Sequence, residues 1–327
     1  MAVDPKNLAI CGGMPVRREF LLLHRPCFGP EEEAEVIAAL RYGWVTMGPR
    51  VQRLEEAFRD LLGAPYALAV NSCTAALHLA LVGLAIGPGD EVVTTPISFA
   101  ATANVVVHVG AVPVFADVDR ETLNLDPGAV AERISPRTRA ILPVHLYGHP
   151  CNMNALRDLA ERHGLVLIED AAHAIEATYR DRRMGVDSAA AAFSFYATKN
   201  MTTGEGGMLV TRNKDLAERI EVLRSHGMSR GAWNRYGSEG FCHWDILAPG
   251  YNYKLSDVLA AIGLAQLPKL EKFWVERRRV FHAYDAALAD IPEIIRPVVR
   301  PEVRSARLLQ RSGLVPAYAT PAMIALM

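Results

Sequence analysis

Short apolar runs alternate with helical patterns along most of the chain. The runs typical of buried strands are YALAV (66–70), EVVTT (91–95), PVFADV (113–118), RAILPVHL (139–146), LVLIED (165–170), AAAAFSFY (189–196) and GMLVT (207–211). Helical spacing lies between them at 73–85 and 100–110 and recurs at 30–40, 51–63, 214–225 and 255–288, with a break near Pro268. This alternation predicts an α/β fold with a mostly parallel central sheet and helices on both faces. Such sheets bind ligands at the carboxyl ends of their strands.

Composition and charge exclude several classes of protein. Half of the residues are apolar, 22% are charged and the formal net charge is −1, which is typical of a soluble globular chain. Because the sequence has neither a basic patch nor a polybasic tail, we expect no binding to nucleic acid or to membrane surfaces. No apolar run reaches membrane-spanning length and no secretory signal begins the sequence, so we expect a cytoplasmic protein.

The five cysteines are scattered and never form a C-x-x-C motif; they are Cys11, Cys27, Cys73, Cys151 and Cys242. A disulfide framework or a zinc site would need paired spacing. We therefore expect reduced thiols and no metal site, which also favours the cytoplasm.

Lys199 lies in the stretch FSFYATKNMTTGEGGMLVT (193–211). A lone loop lysine is usually a solvated charge, but this one follows an apolar strand and precedes Gly204, Gly206 and Gly207. That position is the carboxyl edge of the sheet, where chain and ligand approach closely. A partly desolvated lysine loses its proton more readily and can attack an aldehyde, as in pyridoxal-phosphate (PLP) enzymes.

Two carboxylates end the strand of LVLIEDAAHA (165–174). A buried, unpaired charge costs free energy. PLP chemistry would explain a buried carboxylate here, because a carboxylate beside the pyridine nitrogen keeps that nitrogen protonated. Side chains alternate along a strand, so only one of Glu169 and Asp170 faces the site, and Asp170 at the strand edge is the better candidate. His173 is close enough to contact the ring, or it simply begins a helix.

A strand-to-helix junction, NSCTAALH (71–78), is a candidate anion site. Its free N–H groups are joined by the hydroxyls of Ser72 and Thr74, although such residues also cap helices without a ligand. Ser194 in FSFY could add a further phosphate contact. Phe99 could stack on the cofactor ring or belong to the core.

Taken together, these motifs resemble the DegT/DnrJ/StrS family of PLP-dependent sugar aminotransferases. The likeness runs from about Leu8 to about Ile291 through NSCTAALHLALVGLAIGPGDEVVTTPISFAATANVV, PVFADVDRETLNLD, AILPVHLYGHP, LIEDAAHAIEATY, AFSFYATKN, GEGGMLVT, LRSHGM and PGYNYKLSD. It implies a fold type I PLP transferase that works as a homodimer or larger assembly.

The resemblance also implies roles for individual residues. Lys199 stands at the family's Schiff-base lysine, Asp170 at the partner of the pyridine nitrogen, and His173 where members have glutamine or histidine. The remaining implied cofactor contacts are the phosphate turn Ser72, Cys73 and Thr74, a further phosphate contact from Ser194, the stacking residue Phe99, and Asn252 reaching the neighbouring subunit's phosphate.

The activity implied by the resemblance is transamination of a nucleotide-linked ketosugar, with glutamate or glutamine as amino donor. Lys199 would also act as the base that moves a proton between substrate and cofactor. The family's dehydratase branch has histidine at this position, so the lysine favours transamination. Two alternatives stay open: a transaminase of a keto-cyclitol-type substrate, and a non-catalytic or degenerate paralogue with the same fold.

The resemblance divides the chain into an N-terminal segment (1–50), a large PLP-binding domain (51–245) and the start of a small C-terminal domain (246–327). Family motifs are missing after about Ile291, where clustered arginines precede an apolar tail. We therefore expect an incomplete small domain and impaired activity. A gene truncated or shifted in frame near residue 304 would explain this; the hypothesis requires a downstream frame that encodes the missing motifs.

Overall fold

The computed structural model describes residues 9–22, 24–229, 244–309 and 313–314, and a seven-stranded sheet forms its centre. The order across the sheet is β1 (Tyr66–Val70), β9 (Gly207–Thr211), β8 (Ala190–Ser194), β5 (Val166–Asp170), β4 (Thr138–Leu142), β2 (Glu91–Thr94) and β3 (Val112–Phe115). Strand β9 is antiparallel to both neighbours, and the other pairs are parallel. The predicted α/β fold with a mostly parallel sheet is confirmed.

Helices cover both faces of this sheet in two apolar layers. One layer receives side chains from α2 (Pro49–Leu62), α5 (Pro127–Arg133), α6 (Met153–His163) and α8 (Asp257–Gln266), with α1 (Pro30–Tyr42) packed on α8. The opposite layer receives them from α3 (Cys73–Gly83), α4 (Ala101–His108) and α7 (Lys214–Leu223). Strand β5 contributes side chains to both apolar layers, because Leu167 points into the first layer and Ile168 into the second.

Most elements lie within a few residues of their predicted bounds, and two boundaries have a clear physical cause. The run 139–146 stops as a strand at Leu142 because Pro143 has no N–H for the ladder, although Val144 still forms a bridge with Asp170. The helical region 255–288 is divided into α8 and α9 (Leu270–Ala287) by a 3-10 turn that contains Pro268, as predicted.

The segment after α9 packs against the same body. Strand β11 (Val303–Arg304) pairs with β6 (Thr178–Tyr179), which pairs with β7 (Arg182–Arg183), while β10 (Ile294–Ile295) pairs with β12 (Gly313–Leu314). Ala306 is fully buried. The division of the chain into domains stays a prediction.

Within the described ranges, no helix is both long and apolar enough to span a lipid bilayer.

Asp257 connects α8 to the first turn of α2. Its carboxylate accepts hydrogen bonds from the N–H groups of Arg50 (3.1 Å) and Val51 (3.0 Å), which have no partner inside α2. Asp257→Ala should lower the free energy of unfolding by about 2–3 kcal/mol, because both donors lose a charged acceptor. Asp215→Ala, in the exposed first turn of α7, is the matched control and should cost well under about 1 kcal/mol. Urea unfolding measures both, and equal losses would contradict the role given to Asp257.

Candidate active site

Four strand ends meet at one edge of the sheet. Strand β5 ends at Asp170, β8 at Ser194 and β1 at Val70, and β9 begins there with Gly207. Gly207 pairs with both Val70 and Ser194, which places the loops after β1 and β8 side by side. Asp170 pairs with Ala192 of β8. The candidate residues that follow β1, β5 and β8 in the sequence therefore lie at the same edge of the sheet.

The first turn of α3 lies against the start of β9. Ser72 caps the helix by accepting the N–H of Ala75 at 3.0 Å. A Cβ atom on Gly207 would lie 2.6 Å from the backbone nitrogen of Cys73, so only glycine allows this close approach. The N–H groups of Cys73 and Thr74 belong to the first helical turn, whose donors have no carbonyl partner within the helix, and the positive end of the helix favours an anion there.

The two adjacent carboxylates of β5 point in opposite directions, as strand alternation predicts. Glu169 accepts hydrogen bonds from the N–H of Gly185 (2.7 Å), from the hydroxyl of Ser188 and from Nε2 of His145 (3.0 Å). Glu169 is 1% exposed and both of its carboxylate oxygens have partners within the core. Asp170 is thus the carboxylate that remains for the sheet edge.

Asp170 is buried and held by neutral donors. Its Oδ2 accepts the hydroxyl of Thr102 at 2.8 Å, and its Oδ1 accepts the N–H of Ala172 at 3.2 Å. Burial raises the pKa of Asp170, and the hydrogen bond from Thr102 offsets only part of this effect. A cation against this carboxylate would therefore be stabilising. Sequence reasoning missed Thr102; the available signal was a hydroxyl one helical turn after Phe99.

Lys199 and His173 are in direct contact: Nζ of Lys199 lies 2.7 Å from Nε2 of His173. The other ring nitrogen, Nδ1, accepts the N–H of Tyr147 at 3.2 Å, and the Tyr147 ring stacks on the imidazole at a centroid distance of 6.2 Å. Burial lowers the pKa of His173 to about 3. Burial also lowers the pKa of Lys199, although the charge of Asp170 acts in the opposite direction. Sequence reasoning missed Tyr147.

Cys73 is the third group close to this pair. Burial is the main reason that the pKa of its thiol is held well above the usual range, and the charge of Asp170 adds to the effect. The sulfur is therefore a neutral thiol at physiological pH. The predicted contact of Cys73 with a phosphate would therefore be made by its backbone N–H and not by its sulfur.

The remaining predicted residues lie around this edge. Phe99 is 79% exposed, so the alternative that it belongs to the core is wrong. Ser194 is half-buried, and its hydroxyl oxygen accepts the N–H of Tyr196 at 3.3 Å. Asn252 is exposed, and its carbonyl accepts the side-chain amide of Asn71 at 3.2 Å, beside the turn that begins α3. Their contacts to a cofactor stay predictions.

The sequence matches the DegT/DnrJ/EryC1/StrS aminotransferase family over residues 26–326. The chain belongs to this family. Its members are PLP-dependent aminotransferases, which confirms the predicted cofactor and the predicted class of reaction. The match of this DegT/DnrJ/EryC1/StrS chain continues past Ile291, the point up to which the motifs could be followed in the sequence.

Individual relatives match most of this chain, and this chain covers 75% to 80% of their own length. The spore coat polysaccharide biosynthesis protein SpsC of Bacillus subtilis (strain 168) is 48% identical over 290 residues, covering 89% of this chain and 75% of SpsC. The aminotransferase TlmJ from Streptoalloteichus hindustanus is 34% identical with a TM-score of 0.85, over 91% of this chain and 80% of TlmJ. Helicobacter pylori PseC, an aminotransferase involved in the biosynthesis of pseudoaminic acid, is 32% identical with a TM-score of 0.83, over 90% and 77% of the two chains. These likenesses confirm the fold type I architecture.

Asp170→Asn should stabilise the PLP-free protein at neutral pH. Because burial raises the pKa of Asp170, the folded state holds this proton more tightly than the unfolded state, and the free energy of unfolding falls as pH rises through the interval between the two pKa values. The amide has no such titration, so its advantage should be absent in acid and grow as pH rises.

Urea unfolding of the PLP-free proteins at several pH values measures this difference. Asp158→Asn, on the exposed face of α6, is the control and should follow the wild type. If Asp170→Asn keeps the pH dependence of the wild type, the Asp170 carboxyl is not desolvated as the structure indicates.

Proposed function

We propose that this enzyme transfers an amino group from glutamate or glutamine to the keto carbon of a nucleotide-linked sugar, with PLP held at the edge where β1, β5 and β8 end. One observation carries the proposal: Lys199, Asp170 and the first turn of α3 converge there although they are far apart in sequence. PLP has three recognisable ends, which are an aldehyde, a pyridine nitrogen and a phosphate.

The residues present fit all three ends. The Lys199 amine, with its lowered pKa, suits the aldehyde. The buried carboxylate of Asp170 is held by neutral hydrogen-bond donors, so a protonated pyridine nitrogen beside it would be stabilising. The first-turn N–H groups of α3 suit the phosphate, with the hydroxyls of Thr74 and Ser194 as further candidate donors.

Bound PLP would supply an electron sink for the negative charge that develops beside the transferred amino group. The chain's own residues would then do simple tasks. Asp170 would keep a proton on the ring nitrogen, and Lys199 would move a proton at the carbon where the amino group is transferred. Phe99 would cover one face of the ring and keep water away, and His173 would contact its edge.

The relatives support the sugar as acceptor. SpsC is named for spore coat polysaccharide biosynthesis, and PseC for the biosynthesis of pseudoaminic acid. A ketosugar is therefore the proposed acceptor, and the nucleotide and the amino donor follow from the resemblance. A keto-cyclitol-type acceptor is the alternative outcome of the same assay.

We further propose a cytoplasmic homodimer with shared active sites. The N-terminal segment exposes Phe20, Leu21 and Leu22 to 89%, 66% and 62%, which is an unusual concentration of exposed apolar surface. A second copy would cover such side chains, and the exposed Asn252 is free to reach across to it. The described cysteines are unpaired, which suits a reducing compartment.

The central test combines spectroscopy with an assay. The PLP-loaded protein should absorb visible light and lose this band when glutamate is added, and a panel of nucleotide ketosugars and keto-cyclitols should then reveal the acceptor. Lys199→Ala should lose the band and essentially all turnover, a fall of at least about 10³-fold. Lys214→Ala, at the exposed start of α7, is the matched control and should behave as wild type.

Either of two results would contradict this function. A band that glutamate does not change would indicate a PLP-binding protein without transaminase activity. A Lys199→Ala variant that still turns over would show that another lysine carries the cofactor.

Subunit complementation tests the shared site. Asn252→Ala and Lys199→Ala should each be strongly impaired alone. Co-expressed, they form hybrids in which one site combines the intact Lys199 of one chain with the intact Asn252 of the other, so activity should recover to about a quarter of the wild-type level for random pairing. If Asn252 serves the site of its own chain, no hybrid site is intact and co-expression gives no recovery.

A further inference from the structure

The imidazole of His173 lies between a backbone N–H and the amine of Lys199. The N–H of Tyr147 points at Nδ1 over 3.2 Å, and Nζ of Lys199 is 2.7 Å from Nε2. A neutral imidazole has one nitrogen that donates and one that accepts. Because a backbone N–H can only donate, Nδ1 must accept and the ring proton must be on Nε2.

This tautomer decides the state of the lysine. A proton on Nε2 makes His173 the donor in its contact with Lys199, so Nζ must accept through a lone pair. An ammonium group has no lone pair, and the contact therefore requires the neutral amine. Of the other groups that face Lys199, Asp170 favours the ammonium form, and Cys73 is an uncharged thiol. The hydrogen bond from His173 therefore favours the neutral amine of Lys199, whereas the Asp170 carboxylate favours the ammonium form.

The N–H of Tyr147 is aimed by an unusual turn. Tyr147 adopts a left-handed conformation (φ 54°, ψ 17°), which is uncommon for a residue other than glycine. The segment Ala306–Leu308 holds the turn in place: the N–H of Leu308 donates to the carbonyl of Tyr147 at 3.1 Å, and that of Ala306 to the carbonyl of Gly148 at 2.8 Å. A Cβ atom on Gly148 would lie 2.8 Å from both the Cβ of Ala306 and the carbonyl oxygen of His173.

We propose that Tyr147 and the segment Ala306–Leu308 are positioning groups of the active site, which hold His173 as the Nε2–H tautomer so that it donates to Lys199 and keeps this amine neutral and nucleophilic. The inference rests on the proposed function of Lys199. It also gives residues 306–308, which lie beyond the recognisable motifs, a defined task at the site.

Lysine labelling tests the proposal on the full chain after removal of PLP. Acetic anhydride reacts only with the neutral amine, and mass spectrometry gives the rate at Lys199 as a function of pH. Gly148→Ala disturbs the Tyr147 turn, because its added Cβ meets Ala306 and the carbonyl oxygen of His173 rather than the labelled amine of Lys199. It should shift the Lys199 titration upward so that labelling at neutral pH falls about tenfold.

Gly164→Ala is the matched control. Gly164 also has a positive φ (62°), at the end of α6, but nothing lies within 4 Å of its added Cβ, so the variant has a similar backbone cost far from the site. Its Lys199 titration should equal that of the wild type. A Gly148→Ala protein with an unshifted titration would overturn the proposal.

Nitrogen-15 NMR of the wild-type protein gives an answer even if Gly148→Ala does not fold. The His173 signals, assigned by their loss in His173→Gln, should show a protonated Nε2 and a bare Nδ1. The opposite tautomer, or a charged ring at neutral pH, would overturn the proposal. Failure of the proposed function looks different: Lys199→Ala would still turn over, whatever the tautomer of His173.

Discussion

Desolvation of the Asp170 carboxylate is the constraint on which the rest of the site depends. A charge at the end of a buried strand must be compensated, and β5 shows both ways of doing so. Glu169 is compensated inside the core by Gly185, Ser188 and His145. Asp170 is held by hydrogen bonds from the neutral donors Thr102 and Ala172, so a cation beside it would be stabilising. Strand alternation thus turns two adjacent carboxylates to different surroundings, one inside the core and one at the edge of the sheet.

The other parts of the site follow from the geometry of a parallel sheet. Because β1, β5 and β8 end at the same edge, the α3 turn, Asp170 and the loop with Lys199 meet without any long excursion of the chain. The antiparallel strand β9 adds Gly207, whose missing side chain lets the α3 turn approach. The fold thus brings an amine, a carboxylate and the first turn of a helix to one edge of the sheet, and the family to which the chain belongs uses PLP.

Features set by neighbouring residues in the sequence could be predicted, whereas contacts between residues far apart in the sequence could not. The sheet, its strand ends and the placement of Lys199 follow from apolar runs and nearby glycines. Thr102 could not be found in this way, because it contacts Asp170 across 68 residues of sequence. Tyr147 contacts His173 across 26 residues, and it does so from a left-handed backbone conformation that its residue type does not predict. The sequence predicts an aberrant chain after about Ile291, yet residues 303–304 pair with β6 and residues 306–308 bond to the Tyr147 turn.

We propose that Lys199 carries the cofactor, and the site of covalent attachment can be mapped chemically. The PLP-loaded protein would be reduced with borohydride, digested and mapped by mass spectrometry. A pyridoxyl group is expected on the peptide that contains Lys199, in near-stoichiometric amount. Attachment to another lysine, such as Lys214 or Lys254, or no attachment in a protein that retains PLP, would contradict it.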